Sequence, residues 1–568
     1  MGDVNSAEVP APGSPGDAFD YVVIGAGSAG SVVAGRLAEQ SPGRVLVLEA
    51  GPADHAPAIH VPAGLMKLEP DKLYWRYEIE PDESRQGRRD LWAAGRVTGG
   101  GSSVNAMLWV RGNRADFDTW AELGATGWDY ESVLPYMRSL ERFERGASTV
   151  RGGQGPQRVS FVRLAHPLVK RWLSAAHEAG LPFNEDYNGI AQLGAAWSQL
   201  SQRRGLRHSA ARAFLAPAVR RRRLKLLTHA IAERVLFDGT RAVGVAYTVG
   251  HQTRTAFARK EVILCAGALE SPALLLRSGI GDPDRLRPLG IEVIADVPAV
   301  GRNLQEHPTI TMTFEVTERT LNQELTPLSI AGAALDFVAR GRGSATAPLS
   351  HAVAFERLHD AGWPTYQAMF SPMATSRPEP DVDADSVHSK QGVSLAKGSV
   401  VSTFISLLHP KSRGSVTLRS ADPRQPPLIE FPFLSDDGDV ADLIAAGRRV
   451  REIMGAPSMQ SHVIAESSPG PGVQSDRQWE EFIRATAHGA CHWVGTARIG
   501  APDDPEAVVD PQLRVRGVHR LRVVDASVMP TLTSGNTNAP SILIGEKGAA
   551  LIRRASGATE TSRSLASR

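Results

Sequence analysis

Residues 20–50 read DYVVIGAGSAGSVVAGRLAEQSPGRVLVLEA. The apolar run Tyr21 to Ile24 predicts a β-strand. Gly25-Ala26-Gly27-Ser28-Ala29-Gly30 then spells G-x-G-x-x-G, and Val32, Val33, Leu37 and Ala38 follow at helical spacing. A second apolar run, Val45 to Leu48, ends in Glu49 and Ala50. Strand, glycine turn, helix, strand and acid, in that order, make a dinucleotide-binding unit. Gly25 permits the sharp turn. Gly27 lets the backbone approach a pyrophosphate, which the helix N-terminus attracts, and Gly30 lets helix and strand pack closely. Glu49 accepts hydrogen bonds from ribose hydroxyls. The unit by itself does not choose between NAD and FAD.

Outward from this unit, the chain has 568 residues, enough for a large core and more than one domain. A net charge of +2 gives no electrostatic case for nucleic acid, and the arginine run Arg220 to Arg223 reads as a solvated face. Two cysteines, Cys265 and Cys491, exclude a disulfide scaffold or a Cys-rich metal site and fit a reducing compartment, so a cytoplasmic location is expected. No apolar run is long enough to span a membrane. Residues 1–18 read as a flexible leader, in which Met1-Gly2 with Ser6 is a chance match to a myristoylation pattern, and 556–568 as a frayed tail.

Further along, Gly95-Arg96-Val97-Thr98-Gly99-Gly100-Gly101-Ser102-Ser103 runs into the apolar Ala106 to Val110, which suggests a turn lining a cofactor rather than a surface loop. Residues 51–94 read as loop-rich, with Trp75 and Tyr77 as packing anchors. Helices are predicted within 115–145 and over 166–180, and a hairpin turns at Asp238-Gly239. Glu261 to Cys265 reads as a buried strand that ends in Ala266-Gly267 and enters a helix. From about 310 to 480 the pattern reads as a separate lobe, with strands at Val400 to Leu408 and Ser415 to Leu418 and helices near 439–454 and 477–487. Near the C-terminus a strand, Leu521 to Val524, ends in Asp525-Ala526, and Ser541 to Ile552 forms a last helix behind Pro540.

Taken together, GAGSAG at 25–30 with Glu49, GRVTGGGSSVNAM at 95–107, GALESPALLLRSGIG at 267–281, VGRNLQEH at 300–307, HWVGTARIG at 492–500 and VVDASVMPTLTSGNTNAPSILIGEKGA at 523–549 resemble the glucose-methanol-choline (GMC) oxidoreductases, over roughly 20–553. The resemblance implies FAD rather than NAD. It also implies an α/β fold with a Rossmann-like FAD domain assembled from 19–158, 225–310 and 490–555. A substrate domain, an antiparallel sheet with flanking helices, would comprise 159–224 and 311–489. Gly25, Gly27, Ser28, Ala29 and Gly30 would line the pyrophosphate, and Glu49 and Ala50 the ribose. Arg96, Val97, Gly99, Gly100, Ser103, Asn105, Ala106 and Met107 would border the diphosphate, ribityl chain and ring. Val235 would lie near the adenine, and Ala266, Gly267, Asp525, Ala526 and Thr537 would close the remaining side. Some members tether FAD through a His just before the conserved Asn. Val104 stands there, so FAD would be non-covalent.

The resemblance places the catalytic pair at His492 and Asn536, with Met107, Cys491 and Trp493 in the substrate pocket. A neutral imidazole suits abstraction of an alcohol proton, and an amide can hydrogen-bond the developing alkoxide, while hydride leaves for flavin N5. His488 reads as structural and Cys491 as pocket wall. Many relatives carry Pro at the position of Trp493. The implied activity is oxidation of a primary alcohol, aromatic or furanic by preference, to an aldehyde, with O2 or another acceptor. The alternatives are a choline or aliphatic-alcohol dehydrogenase using an acceptor other than O2 and, more remotely, a hydroxynitrile lyase or a fatty-acid photodecarboxylase.

Overall fold

Strands buried on both faces read as unbroken apolar runs, because helices cover a parallel sheet on each side. The computed structural model, which describes residues 18–41, 43–324, 337, 339, 341–360, 362–376 and 394–557, bears this out at the N-terminus. β1 (Ala18–Ile24), α1 (Ser28–Gln40) and β2 (Val45–Leu48) form the predicted unit, and all four residues of β2 are buried. The predicted leader and tail lie outside the described residues except for Ala18, Ser556 and Gly557.

Four later strands complete the sheet on its two flanks: β3 (Leu224–Leu227), β4 (Ala230–Asp238), β5 (Arg241–Val249) and β6 (Gln252–Leu264). The order is β3-β2-β1-β6-β5-β4, and Leu521–Val523 also pairs with β6. Pairing is parallel through β3, β2, β1 and β6 and antiparallel from β6 through β5 to β4. Every parallel strand thus points its C-terminal end at one edge, where ligands of such sheets bind. α2 (Gly267–Arg277) leaves that edge after β6.

The second sheet is antiparallel. It contains β7 (Pro308–Val316), β8 (Ala352–Glu356), β9 (Tyr366–Ser371), β10 (Val400–Leu407) and β11 (Val463–Ser468), in the order β11-β7-β10-β9-β8, with Gly194–Trp197 outside β8. Its covered face forms a separate apolar core under helices Pro167–Glu178 and Asp437–Gly455, in which Trp172 stacks on Phe370 at 5.2 Å. The mixed α/β architecture is the one expected from the sequence.

Local chemistry then brings the chain ends together. The last helix begins at Asn538, three residues ahead of the predicted Ser541, and runs to Ala555. It lies against α1 so closely that a Cβ on Gly545 would meet the Ala29 carbonyl oxygen at 2.7 Å. The helix Asp476–Thr486 starts in a capping box of Ser475 and Gln478 and delivers His488–Gly489 to the edge of β7. Residues 51–94, read as loop-rich, contain a paired hairpin, Tyr74–Glu78 with Leu91–Gly95, that buries Tyr77 and Trp92. Arg220 to Arg223 are exposed, as expected of a solvated turn.

Candidate active site

A single cavity of about 810 Å³ runs from the glycine turn of the first sheet to the open face of the second. Its first half is built by backbone. Gly25 has φ +94°, and a Cβ there would strike the Cys265 carbonyl oxygen at 2.4 Å. Gly30 is closed in as tightly, its Cβ meeting the Gly25 oxygen at 2.0 Å, so it packs α1 onto the strands and, contrary to the expected pyrophosphate contact, does not line the cavity. Gly27 differs: the nearest atom to a Cβ there is the Gly100 Cα at 4.0 Å, and Gly101 and Gly267 have nothing within 4 Å. These three positions leave a trough that side chains would fill.

The polar groups around this trough suit a dinucleotide. α1 begins at Gly27 with no side-chain cap and no acid in its first turn, which leaves its N–H groups and positive dipole end for an anion. Both Glu49 oxygens are oriented by backbone donors, Ala26 N and Gly51 N, each at 2.8 Å, and keep lone pairs for hydroxyl donors. Burial raises the Glu49 pKa to about 7, against the lowering effect of those two donors. Asp525 accepts from Gly267 N at 2.9 Å and Ser271 Oγ at 2.5 Å, tying α2 to the C-terminal strand. Asn538 Oδ1 accepts from Ser28 Oγ at 2.9 Å, while its buried Nδ2 has no partner among the described residues. An orphaned donor, an uncapped helix and a glycine trough fit the diphosphate and ring edges of FAD.

At the far end the chain assembles a directional series of hydrogen bonds. The Leu408 carbonyl can only accept, so His307 Nε2, 3.1 Å away, carries a proton. His307 is fully buried, and that burial, with His492 and His409 nearby, holds its pKa well below the ordinary value. The ring is therefore neutral and its Nδ1 is a lone pair. It accepts from His492 Nδ1 at 2.9 Å. Burial also lowers His492 to a pKa of about 4, so with Nδ1 protonated its Nε2 is a bare lone pair. Asn536 Nδ2 donates to it at 3.1 Å, and Asn536 Oδ1 accepts from Gln367 Nε2 at 3.3 Å. Glu306 accepts from the backbone N–H groups of both His307, at 2.7 Å, and His492, at 2.9 Å, which pins the two rings side by side. Asp116 accepts from Ser534 N and Ser534 Oγ, each at 2.7 Å, and so fixes the loop that presents Asn536.

Gly25, Gly27, Ser28, Ala29, Glu49, Ala50, Gly100, Asn105, Ala106, Met107, Ala266, Gly267, Cys491, His492, Trp493, Asp525, Ala526, Asn536 and Thr537 all line this one cavity. The other predicted residues stand a layer back. Gly99 donates its N–H to Ala26 O, Val97 O accepts from Gly100 N, and Ser103 Oγ bonds Thr98 O, so each shapes the turn from behind. Arg96 lies over the Trp75 ring, 5.1 Å from its centroid. Val235 is also displaced from the cavity, its N–H engaged by Ser278 Oγ at 2.9 Å; β4 meets the cavity earlier, at Ala230 to Ala232. Trp75, Tyr77 and His488, read as structural, line the cavity. Sequence reasoning missed Glu306, His307 and Gln367. The Gln-Glu-His at 305–307 lay inside a noted motif, but 185 residues separate His307 from His492.

Two predictions arise here. His307→Leu removes the acceptor that holds the His492 proton on Nδ1, and the expected result is a fall of about 10- to 10²-fold in kcat with cofactor content unchanged and an altered pH profile. Activity within twofold, with the same pH profile, would show that His307 does not set the tautomer. The second concerns stability. Burial lowers His208, His409 and His492 to about 4 and His351 to about 3, and it holds His307 well below its ordinary value. Unfolded, they take up protons below the ordinary histidine value of 6.5, so acidification through that window favours unfolding. Glu49 and Asp116, raised to about 7 by burial, act in the opposite sense. Five histidines outweigh two carboxyls, and the melting temperature is expected to fall steadily from pH 6.5 toward 4.5. Scanning fluorimetry across that range checks it, and a flat or rising trend would contradict it.

Among the described residues no helix is long and apolar enough to cross a membrane, and no cluster of His, Cys, Asp and Glu could hold a metal ion. A family profile described as GMC oxidoreductase matches residues 19–309, and a second of the same description matches 410–545. The chain is similar to the mitochondrial choline dehydrogenase of Homo sapiens, with 42% identity over 94% of this chain and 90% of that protein. Among solved structures it is similar to a pyridoxine 4-oxidase from Mesorbium loti, at 30% identity and a TM-score of 0.83, covering 94% of this chain and 98% of the other. A formate oxidase from Aspergillus oryzae, studied for its FAD modification, gives a TM-score of 0.86 at 26% identity, over 95% and 99% of the two chains.

Proposed function

The chain belongs to the GMC oxidoreductase family, whose members use FAD to oxidise alcohols, and from that premise we propose that it converts a primary aliphatic alcohol to its aldehyde. The observation that carries the reading is the unprotonated Nε2 of His492 on the cavity wall, which accepts from the Asn536 amide at 3.1 Å. Gly27, Ser28, Glu49, Asn105, Ala266 and Asp525 would hold FAD along the trough. Bound there, FAD supplies the acceptor for the hydride that leaves the alcohol carbon.

The chain's own groups handle the proton. His492 Nε2 takes it from the alcohol O–H, and the carbon–oxygen bond becomes a carbonyl as hydride departs. Asn536 Nδ2 donates to the same oxygen while charge builds on it, and Gln367 keeps that amide from rotating. The low pKa of His492 keeps it unprotonated, and so competent as a base, throughout the neutral range.

Greater likeness to a choline dehydrogenase than to a pyridoxine oxidase favours an aliphatic alcohol over the aromatic or furanic one that the motifs alone suggested. Both are named for redox reactions, which favours oxidation over the lyase and decarboxylase alternatives. Turnover with an acceptor dye tests the preference. Short primary aliphatic alcohols should exceed benzyl and furfuryl alcohol in kcat/KM by about tenfold; the reverse order would restore the aromatic reading. Cys265 and Cys491 form no disulfide, which remains consistent with a reducing compartment such as the cytoplasm.

Val104 lines the cavity where a tethering histidine would stand, and it offers no nucleophilic atom. Acid precipitation is therefore expected to release all of the flavin into the supernatant. Flavin that stays with the pellet would contradict non-covalent binding.

A further inference from the structure

The substrate half of the cavity has a wall whose chemistry the proton-transfer pair does not use. Thr309, Thr311 and Thr313 alternate along β7 and therefore share one face. Opposite them in register on β10 stand Ser406, Phe404 and Ser402. All six line the cavity. Their hydroxyls are arranged rather than idle: Thr309 Oγ1 and Ser406 Oγ lie 2.7 Å apart, and Ser402 Oγ donates to Met373 O at 2.7 Å, which leaves its lone pairs to accept.

Beside this ladder, the Trp493 ring stacks on Trp92 at 5.1 Å with 24° between planes, so one of its faces is covered. Its buried Nε1–H has no partner among the described residues, although the ring lines the cavity.

Carboxylates are placed elsewhere. The cavity's acids among the described residues are Glu49, Glu270 and Asp525. Glu49 and Asp525 belong to the cofactor trough, and Glu270 accepts from Tyr77 Oη at 2.9 Å and pairs with Arg277 at 3.3 Å. Glu306, behind the histidines, is turned onto their backbone N–H groups. Among the described residues, no carboxylate stands on the Thr/Ser wall to meet a fixed cation.

We propose that this wall selects an uncharged alcohol bearing further oxygen atoms, of the diol, hydroxy-ether or polyol class, and selects against a quaternary-ammonium alcohol. The Thr/Ser hydroxyls bond those oxygens while the reacting hydroxyl reaches His492 Nε2. The inference rests on the alcohol-oxidising reading above and narrows its substrate.

Three alcohols test it on the holoenzyme under anaerobic conditions: choline, its isostere with a quaternary carbon in place of the ammonium nitrogen, and diethylene glycol. The expected order of bleaching efficiency is diethylene glycol, then the isostere, then choline, with about tenfold or more between first and last. Thr311→Val and Thr313→Val, each losing one hydroxyl at nearly constant shape, should shrink the glycol-to-isostere ratio by about fivefold. Choline as the best of the three, or ratios unmoved by both variants, would overturn the proposal. Bleaching by none of them would overturn the alcohol-oxidising reading with it.

Discussion

Replacing His492 with alanine is expected to slow reduction of the bound flavin by an alcohol by about 10²-fold or more, with FAD still in place. The size follows from geometry. His492 Nε2 is the ring nitrogen that the Leu408, His307 and His492 series leaves unprotonated on the cavity wall, where it accepts from Asn536 Nδ2 at 3.1 Å. Without it the alcohol proton has no base, because Asn536 is an amide and His307 Nδ1 lies behind the lost ring. The fold should survive, since Glu306 holds position 492 through the backbone N–H. Rapid mixing under anaerobic conditions reads the rate, and the ratio of flavin to protein absorbance reads the cofactor. Asn536→Ala should cost less, because it removes one hydrogen bond to the oxygen and leaves the base. A His492→Ala rate within a few-fold of the parent would mean that another group takes the proton.

The second large effect is loss of cofactor from Gly27→Val. Gly27 has φ −69° and ψ −159°, a conformation open to any residue, so the substitution carries no backbone strain. Its Cβ has only Gly100 Cα near it, at 4.0 Å, and the added methyl groups would extend into the trough. The expected product is a folded, colourless protein with FAD affinity reduced by about 10²-fold or more. Gly30→Val is a different experiment, because a Cβ there strikes the Gly25 carbonyl oxygen at 2.0 Å and would disturb folding itself. A yellow Gly27→Val protein with a parental flavin ratio would contradict the phosphate-cradle reading.

Much of this was legible from local pattern. The unit at 20–50 folds as its apolar runs and glycines dictate, because a strand, a tight turn and a helix are set by residues close in sequence. The pairing of His492 with Asn536 was legible only through the ordered motifs, since the two stand 44 positions apart in the chain. Long-range partners were not legible. Nothing local marks Glu306 as the residue that turns two backbone N–H groups toward one carboxylate, or Gln367 as the support of Asn536. The offset of Val235 has the same origin: strand periodicity says which residues alternate, but not where along β4 the neighbouring elements open a cavity. The hydroxyl wall is a third case. Thr309, Thr311 and Thr313 are an unremarkable alternation until the register with β10 sets them against Ser406, Phe404 and Ser402.

The claim on which the rest depends is that an alcohol gives its proton to His492 and its hydride to FAD. Anaerobic mixing of the holoenzyme with a primary alcohol, unlabelled and deuterated at the reacting carbon, tests that directly. The expected result is loss of the oxidised-flavin absorbance with release of the aldehyde, slower for the deuterated alcohol. Flavin absorbance that no alcohol bleaches, together with cyanide release from mandelonitrile by the same protein, would contradict it.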